Sequence, residues 1–251
     1  MADGLAAQGV ATLRYDKRTR RFPASIDPAT FTATDEYVPD AVAAVTALRV
    51  RADIDRERIF VLGHSQGGTF APKIAVTDPQ IAGIILLAAG AAPFGSALLR
   101  QATYLSNLPG EIGTQARAQL PMIQEFVRQI DNPDLAPGDV LNSPLLGGTG
   151  PAYFLDLRAY DELSVARSLP QPMLILQGER DYQVTVADDF NRWTEALAGR
   201  TAVTTHRYPR ANHQFIDGTG PSSPADYEKP GHVDRQVITD IAHWVLDSNA
   251  R

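Results

Sequence analysis

The chain contains no cysteine. That excludes disulfides, thiolate nucleophiles and cysteine metal sites, and it fits either redox compartment. No apolar run is long enough to cross a bilayer. The longest, Ile81 to Phe94, is interrupted by Gly83, Gly90 and Pro93. No block of Lys and Arg stands out, and the formal net charge is -6. Nothing therefore recommends nucleic acid as a partner. The opening MADGLAAQGV carries Asp3 and lacks both a basic start and a long apolar stretch. It does not read as a secretory signal, so a cytoplasmic location is the default, with a secreted one open for a processed or truncated chain. Internal repeats and low-complexity tracts are also missing.

What is present suits one large α/β domain. The chain has 251 residues, of which 44% are apolar and 21% charged. That is enough for a substantial core and short for two independent domains. Short apolar runs alternate with helical spacings. Val10 to Tyr15 reads as a strand. Val38, Ala41, Val42, Val45 and Leu48 recur at steps of three and four, which predicts a helix over 35–50 with Thr34 as N-cap. Arg58 to Gly63 is a continuous apolar run, the pattern of a strand buried on both faces. Gln66 to Thr77 reads as a helix, Ile81 to Ala89 and Met173 to Gln177 as strands. Val186 to Leu197 follows as a helix, Ala202 to Tyr208 as a strand, and Val233 to Asp247 as the last helix. The alternation predicts a mostly parallel sheet flanked by helices.

One stretch breaks that rhythm. Pro93 to Leu169 holds no convincing strand, while Ile112, Ala116, Leu120, Ile123, Val127 and Ile130 keep helical spacing, with Pro121 as a kink or restart. A Pro/Gly-rich segment, LAPGDVLNSPLLGGTGPAY, follows. Long structureless loops are uncommon in compact domains, so this insertion reads as a helical cap. The expected organisation is a core of residues 1–92 and 170–251 with a cap of residues 93–169.

The chemistry centres on Gly63-His64-Ser65-Gln66-Gly67-Gly68, set between a strand and a helix. G-x-S-x-G in that setting is a nucleophile elbow. The turn lifts a serine clear of the backbone at the cost of a positive φ, and Gly63 and Gly67 are expected to relieve crowding. The helix that follows aims its free N–H groups at the reacting centre, so the Gln66 N–H is the expected oxyanion donor. A serine hydroxyl needs a base, and the base an orienting acid. His213, in ANHQF after the strand ending at Tyr208, is the candidate base. Its rival is His232, whereas His206 and His243 read as packing residues and His64 adjoins the serine too closely to turn back to it. Asp181, in GERDYQV beyond the strand MLILQ, is the candidate acid. Glu179, Asp188 and Asp189 are its neighbours. Ser65, Asp181 and His213 occur in the chain order of one known hydrolase architecture.

The segments GVATLRYDKRT, GHSQGG, GERDYQV and ANHQF together resemble the α/β-hydrolase superfamily. NHQFIDGTGPSSPADYEKPGHVD is similar to bacterial esterases and acyl hydrolases related to dienelactone hydrolases and prolyl oligopeptidase-like enzymes. The resemblance implies an α/β-hydrolase fold and a serine esterase needing no metal or cofactor. Its substrate would be a small-molecule ester of small to medium acyl or alcohol groups. Peptidase or acyl-CoA thioesterase chemistry on the same three residues is the enzymatic alternative. A catalytically silent, hydrolase-fold binding protein is the alternative of another class.

The pattern departs from that superfamily at the N-terminus. Such proteins carry strands ahead of the one matching GVATLRYD, and an HG-type loop that supplies a second oxyanion N–H. Nothing ahead of Gly9 corresponds to either. Three explanations follow: a fragment of a longer protein, Val10 to Tyr15 pairing directly with Arg58 to Leu62, or a partner chain completing the sheet edge. The expectation is a shortened sheet that is closed up or completed by homo-oligomerisation. Tyr15, Lys17 and Arg18 are conceivable substitute oxyanion donors, although Lys17, Arg18, Arg20 and Arg21 also suit a solvated turn.

Overall fold

The computed structural model describes residues 1–143 and 149–247. Residues 144–148 of the Pro/Gly-rich segment lie outside the described residues. The chain divides into two compact units. The first comprises Met1–Asp16, Tyr37–Ala91 and Glu162–Arg251, and the second Lys17–Glu36 and Ala92–Asp161.

The first unit is built on four parallel strands: β1 (Phe60–His64), β2 (Gly83–Leu87), β3 (Met173–Gly178) and β4 (Val203–Tyr208), in spatial order β1-β2-β3-β4. The two inner strands are the most apolar, and every residue of β2 and β3 is buried. Alternation gives them two apolar faces. Ile85, Leu87, Leu174 and Leu176 face a cluster with Leu5 of helix α1 (Ala2–Ala6) and Val237, Ile241 and Val245 of helix α10 (Arg235–Asp247). Their alternates, Ile84, Leu86, Met173 and Ile175, point to the opposite face and are as fully buried. Burying each such side chain stabilises the fold by about 1.5–3 kcal/mol. Helix α4 (Gln66–Thr77) packs on β1 and β2, and α8 (Glu162–Ser168) packs on α4. Arg49, on helix α3 (Ala33–Arg49), holds Asp78 beyond the end of α4 through two hydrogen bonds of 2.5 and 2.8 Å. The arrangement is the parallel sheet flanked by helices that the alternation predicts.

Four local expectations fail. Val10 to Tyr15 is not a strand. Alternating apolar residues can line one face of a ladder, but a ladder also requires a neighbour's N–H and C=O groups. Here residues 10–14 and β1 instead line a common groove of about 510 Å³, with Leu62 and Leu13 more than a third exposed. In consequence β1 is an edge strand, not one buried on both faces. The predicted cap at Thr34 also moves. Thr32 Oγ1 accepts from the Asp35 N–H (3.1 Å), and the Asp35 carboxylate accepts from the Thr32 N–H (3.0 Å). This reciprocal pair caps α3 two residues earlier, with Asp where Glu or Gln is usual. Thr34 instead donates through both N–H and hydroxyl to Asp156 at 2.7 Å. The predicted helix over 186–197 splits into a π turn, Val186–Phe190, and helix α9, Asn191–Ala196.

The second unit is helical. It contains α2 (Arg18–Arg21), α5 (Phe94–Ser106), α6 (Gly110–Ile130, running through Pro121) and α7 (Pro151–Ala159). Phe154 is its aromatic centre, with ring contacts to Phe94, Phe126 and Tyr153 at 5.5–5.9 Å.

Candidate active site

A parallel sheet brings the carboxyl ends of all its strands to one rim, where ligands of such folds gather. Ser65 follows β1, Asp181 follows β3, and His213 follows β4. All three belong to the first unit.

Ser65 has φ 55° and ψ -126°, a conformation costing on the order of 1–3 kcal/mol. Its surroundings hold it there. The Ser65 N–H donates to the Leu87 carbonyl (2.8 Å), and its own carbonyl accepts from Gly68 and Thr69 at the start of α4. A Cβ at Gly63 would overlap the Gly67 carbonyl, so only glycine fits there. Gly67 itself has room for one. The second tight position is Gly68, where a Cβ would press on Ala89. The glycine requirement thus falls on 63 and 68, because helix α4 leaves the turn packed against the segment after β2. The Gln66 N–H heads the helix and has no intrahelical acceptor. The Gln66 side chain is held by the Tyr37 hydroxyl, 2.9 Å from Oε1, and Tyr37 stacks on Phe70.

Asp181 and His213 meet. His213 Nδ1 donates to Asp181 Oδ2 at 2.7 Å, both side chains being almost wholly buried. The carboxylate is fixed on all sides. Oδ1 accepts from the Gln183 and Val184 N–H groups at 2.8 and 3.0 Å, and the buried Gln177 amide lies 3.3 Å from Oδ2. Gln177 also donates to the Val184 carbonyl at 2.8 Å, closing the acid loop on the end of β3. At Gly178 a Cβ would collide with the Ala211 and Asn212 carbonyls, so the histidine loop lies directly against β3. Asn212 Oδ1 folds that loop by accepting from the Gln214 and Ile216 N–H groups. With Nδ1 bound to the carboxylate, His213 Nε2 is the nitrogen free to accept a proton. Among the described residues no hydrogen bond joins it to the Ser65 hydroxyl.

The other candidates fall elsewhere. His232 is exposed, and His206 is exposed on β4. His206 and His243 line a small surface cavity with Asp240 and Trp244. Glu179 pairs with Arg207 at 3.2 Å. Asp188 lies in the π turn, where its N–H donates to Oγ1 of the capping Thr185. Asp189 is fully buried and accepts from the Ala91 and Thr185 N–H groups at 2.9 and 2.8 Å. In the second unit Lys17 is paired with Glu36 at 3.3 Å, and Glu36 also accepts from Thr19 and Tyr153. Gln177 was not a sequence candidate. Its signal was there to read: a polar residue ending a wholly apolar strand must find partners. His64 adjoins Ser65 in the chain, yet its Nε2 lies 2.7 Å from the His213 carbonyl. Among the described residues no cluster of His, Asp and Glu could hold a metal ion, and no helix is long and apolar enough to cross a membrane.

The arrangement can raise the nucleophilicity of a hydroxyl, store its proton on an imidazole and stabilise the resulting cation. Known proteins agree with the architecture. The model of the serine aminopeptidase, S33, family (Hydrolase_4) matches residues 1–218. The chain is 37% identical over 246 residues to "Esterase EstD" of Thermotoga maritima, covering 98% of this chain and 56% of that protein. It thus spans little more than half the length of that relative. Among solved structures, BpoC of Mycobacterium tuberculosis superposes with a TM-score of 0.57 at 19% identity, over 99% of this chain and 86% of that one. An esterase of Pyrococcus furiosus, PF2001, gives 0.50 at 13% identity, over 86% and 63%. These two likenesses concern the fold. With its parallel sheet, its serine on a strained strand-to-helix turn and a family match across most of its length, the chain belongs to the serine aminopeptidase, S33, family of α/β-hydrolases.

Proposed function

We propose that the protein is a serine hydrolase cleaving carboxylic esters of small to medium acyl or alcohol groups through an acyl-enzyme on Ser65. The observation that carries this reading is the buried Asp181–His213 pair on the same sheet rim as a serine held at φ 55°. His213 Nε2 takes the hydroxyl proton as Ser65 Oγ attacks the acyl carbon. Asp181 keeps the imidazole tautomer and stabilises the imidazolium. The Gln66 N–H, at the positive end of α4, stabilises the tetrahedral oxyanion. His213 then protonates the leaving alcohol, and water repeats the sequence on the acyl-enzyme. The relative named as an esterase supports the choice of ester over other acyl compounds. The reading requires no metal or cofactor.

Residues 93–169 act, in this proposal, as a cap that selects the acyl or alcohol group. The test is a substrate panel: p-nitrophenyl esters of graded chain length, peptide anilides and acyl-CoA, with fluorophosphonate labelling alongside. Short to medium esters are expected to give the highest kcat/KM, with label on Ser65. Faster cleavage of the peptide anilides would favour the peptidase reading instead, which the family's description makes the second choice. No labelling and no turnover of any class would leave a binding protein.

The same proposal assigns the free edge of β1 to a second copy of the chain. An open edge presents unpaired N–H and C=O groups and readily recruits another strand. Light scattering coupled to gel filtration is expected to give a dimer, and Leu62→Lys, on that edge, a monomer. A monomeric wild type at tens of micromolar would refute the assignment.

A further inference from the structure

The two halves of the proposed machinery start at opposite ends of the sheet. Ser65 leaves β1 at one edge, and His213 follows β4 at the other. Three strand spacings separate those edges, roughly 14 Å. The histidine loop must therefore reach back across the rim to serve the serine. Its ties to β3 are numerous: the His213–Asp181 hydrogen bond, the Arg180 N–H donating to Ala211, and the close approach at Gly178. Those contacts fix the loop against β3 but not against β1.

A side chain of β1 makes that last connection. His64 ends β1 and is joined to Ser65 by a single peptide bond. Its Nε2 lies 2.7 Å from the His213 carbonyl oxygen, and the two rings stand 4.6 Å apart at 48°. A carbonyl only accepts, so Nε2 must carry the proton. The residue keeps an open side to solvent, but this nitrogen is turned onto the loop. Loss of hydration around the ring, and then the facing His213, hold its pKa below the ordinary histidine value. A neutral ring is what the site needs, because a second cation there would oppose the imidazolium.

We infer that His64 is a positioning residue: its Nε2–H tethers the His213 backbone to the strand that carries Ser65, and so sets the gap across which the proton passes. It acts through the His213 backbone. The effect therefore falls on the chemical step and not on binding. Misplacement of a reacting group by about 1 Å can cost on the order of 100-fold.

This inference rests on the proposed triad, and its test separates the two. His64→Gln keeps a donor at about the reach of Nε2, whereas His64→Met has similar length and no donor. With p-nitrophenyl butyrate, His64→Met is expected to lose about 10- to 100-fold in kcat at a KM within twofold of wild type. Fluorophosphonate labelling should slow in parallel. His64→Gln is expected to stay within about threefold of wild type in both measurements. Equal kcat for the two variants overturns the tether, whether both are impaired or both are normal. A loss confined to KM overturns it as well. If His64→Met melts below the assay temperature, His64→Asn replaces it, since that shorter amide stops about one bond short of the carbonyl. Ser65→Ala, run beside them, reports on the triad alone. If it retains wild-type turnover, the nucleophile is misassigned whatever the His64 variants do.

Discussion

Ser65→Ala is expected to lower kcat by about 10⁶-fold, to the level left by binding and oxyanion stabilisation alone. The size of the effect follows from the mechanism. No neighbouring group can replace the attacking oxygen, and the imidazole without it has only water to activate. Folding should be unaffected. Alanine keeps a Cβ, so it meets the same strain at φ 55° that serine already meets, and Ser65 contributes no side-chain cap to α4. The measurement is turnover of p-nitrophenyl butyrate together with a thermal melt. Equal turnover by wild type and variant would remove Ser65 from the mechanism. Collapse of the melt would instead assign the residue to the architecture.

Asp181→Asn carries the second large expectation, about 10⁴-fold in kcat. The direction can be worked out atom by atom. The Gln183 and Val184 N–H groups both point at Oδ1, so the amide oxygen of an asparagine must occupy that position. Its NH₂ then replaces Oδ2, facing His213 Nδ1 at 2.7 Å and the Gln177 amide at 3.3 Å. Nδ1 can no longer donate and must accept. The imidazole proton moves to Nε2, the nitrogen that has to receive the serine proton, and the base is lost in its wrong tautomer. The Gln177 amide meets a second donor, which adds strain to the acid loop. Kinetics at a single pH with a melt suffice. A loss below tenfold would show that Asp181 is not the orienting acid.

Much of this could be read from the residues before any coordinates. The elbow was legible because an apolar strand, two close glycines and a helix all surround one serine. The order of Asp181 before His213, each in the loop just past a strand, anticipated their contact across the rim. Strands β2 and β3 were legible because both of their faces are apolar. What escaped has a common cause: sequence shows what a segment could do, and partners decide whether it does. Val10 to Tyr15 alternates as a strand should, yet no backbone lies in register beside it. Thr34 looks like a cap, but Thr32 and Asp35 form the reciprocal pair and Thr34 is claimed by Asp156. Gly67 fits the motif's spelling, while the steric demand falls on Gly68. His64 reads locally as no more than the neighbour of Ser65. Its role lies 149 residues away, a distance no local pattern encodes.

The carboxylate of Asp189 has a bearing on how such a chain can change. It grips the N–H of Ala91, the final residue before the polypeptide passes into the helical unit, and on its other side the N–H of Thr185. The doorway of the insertion is thus riveted to the scaffold from within. The point at which the chain leaves the first unit is therefore held to the stretch that follows β3.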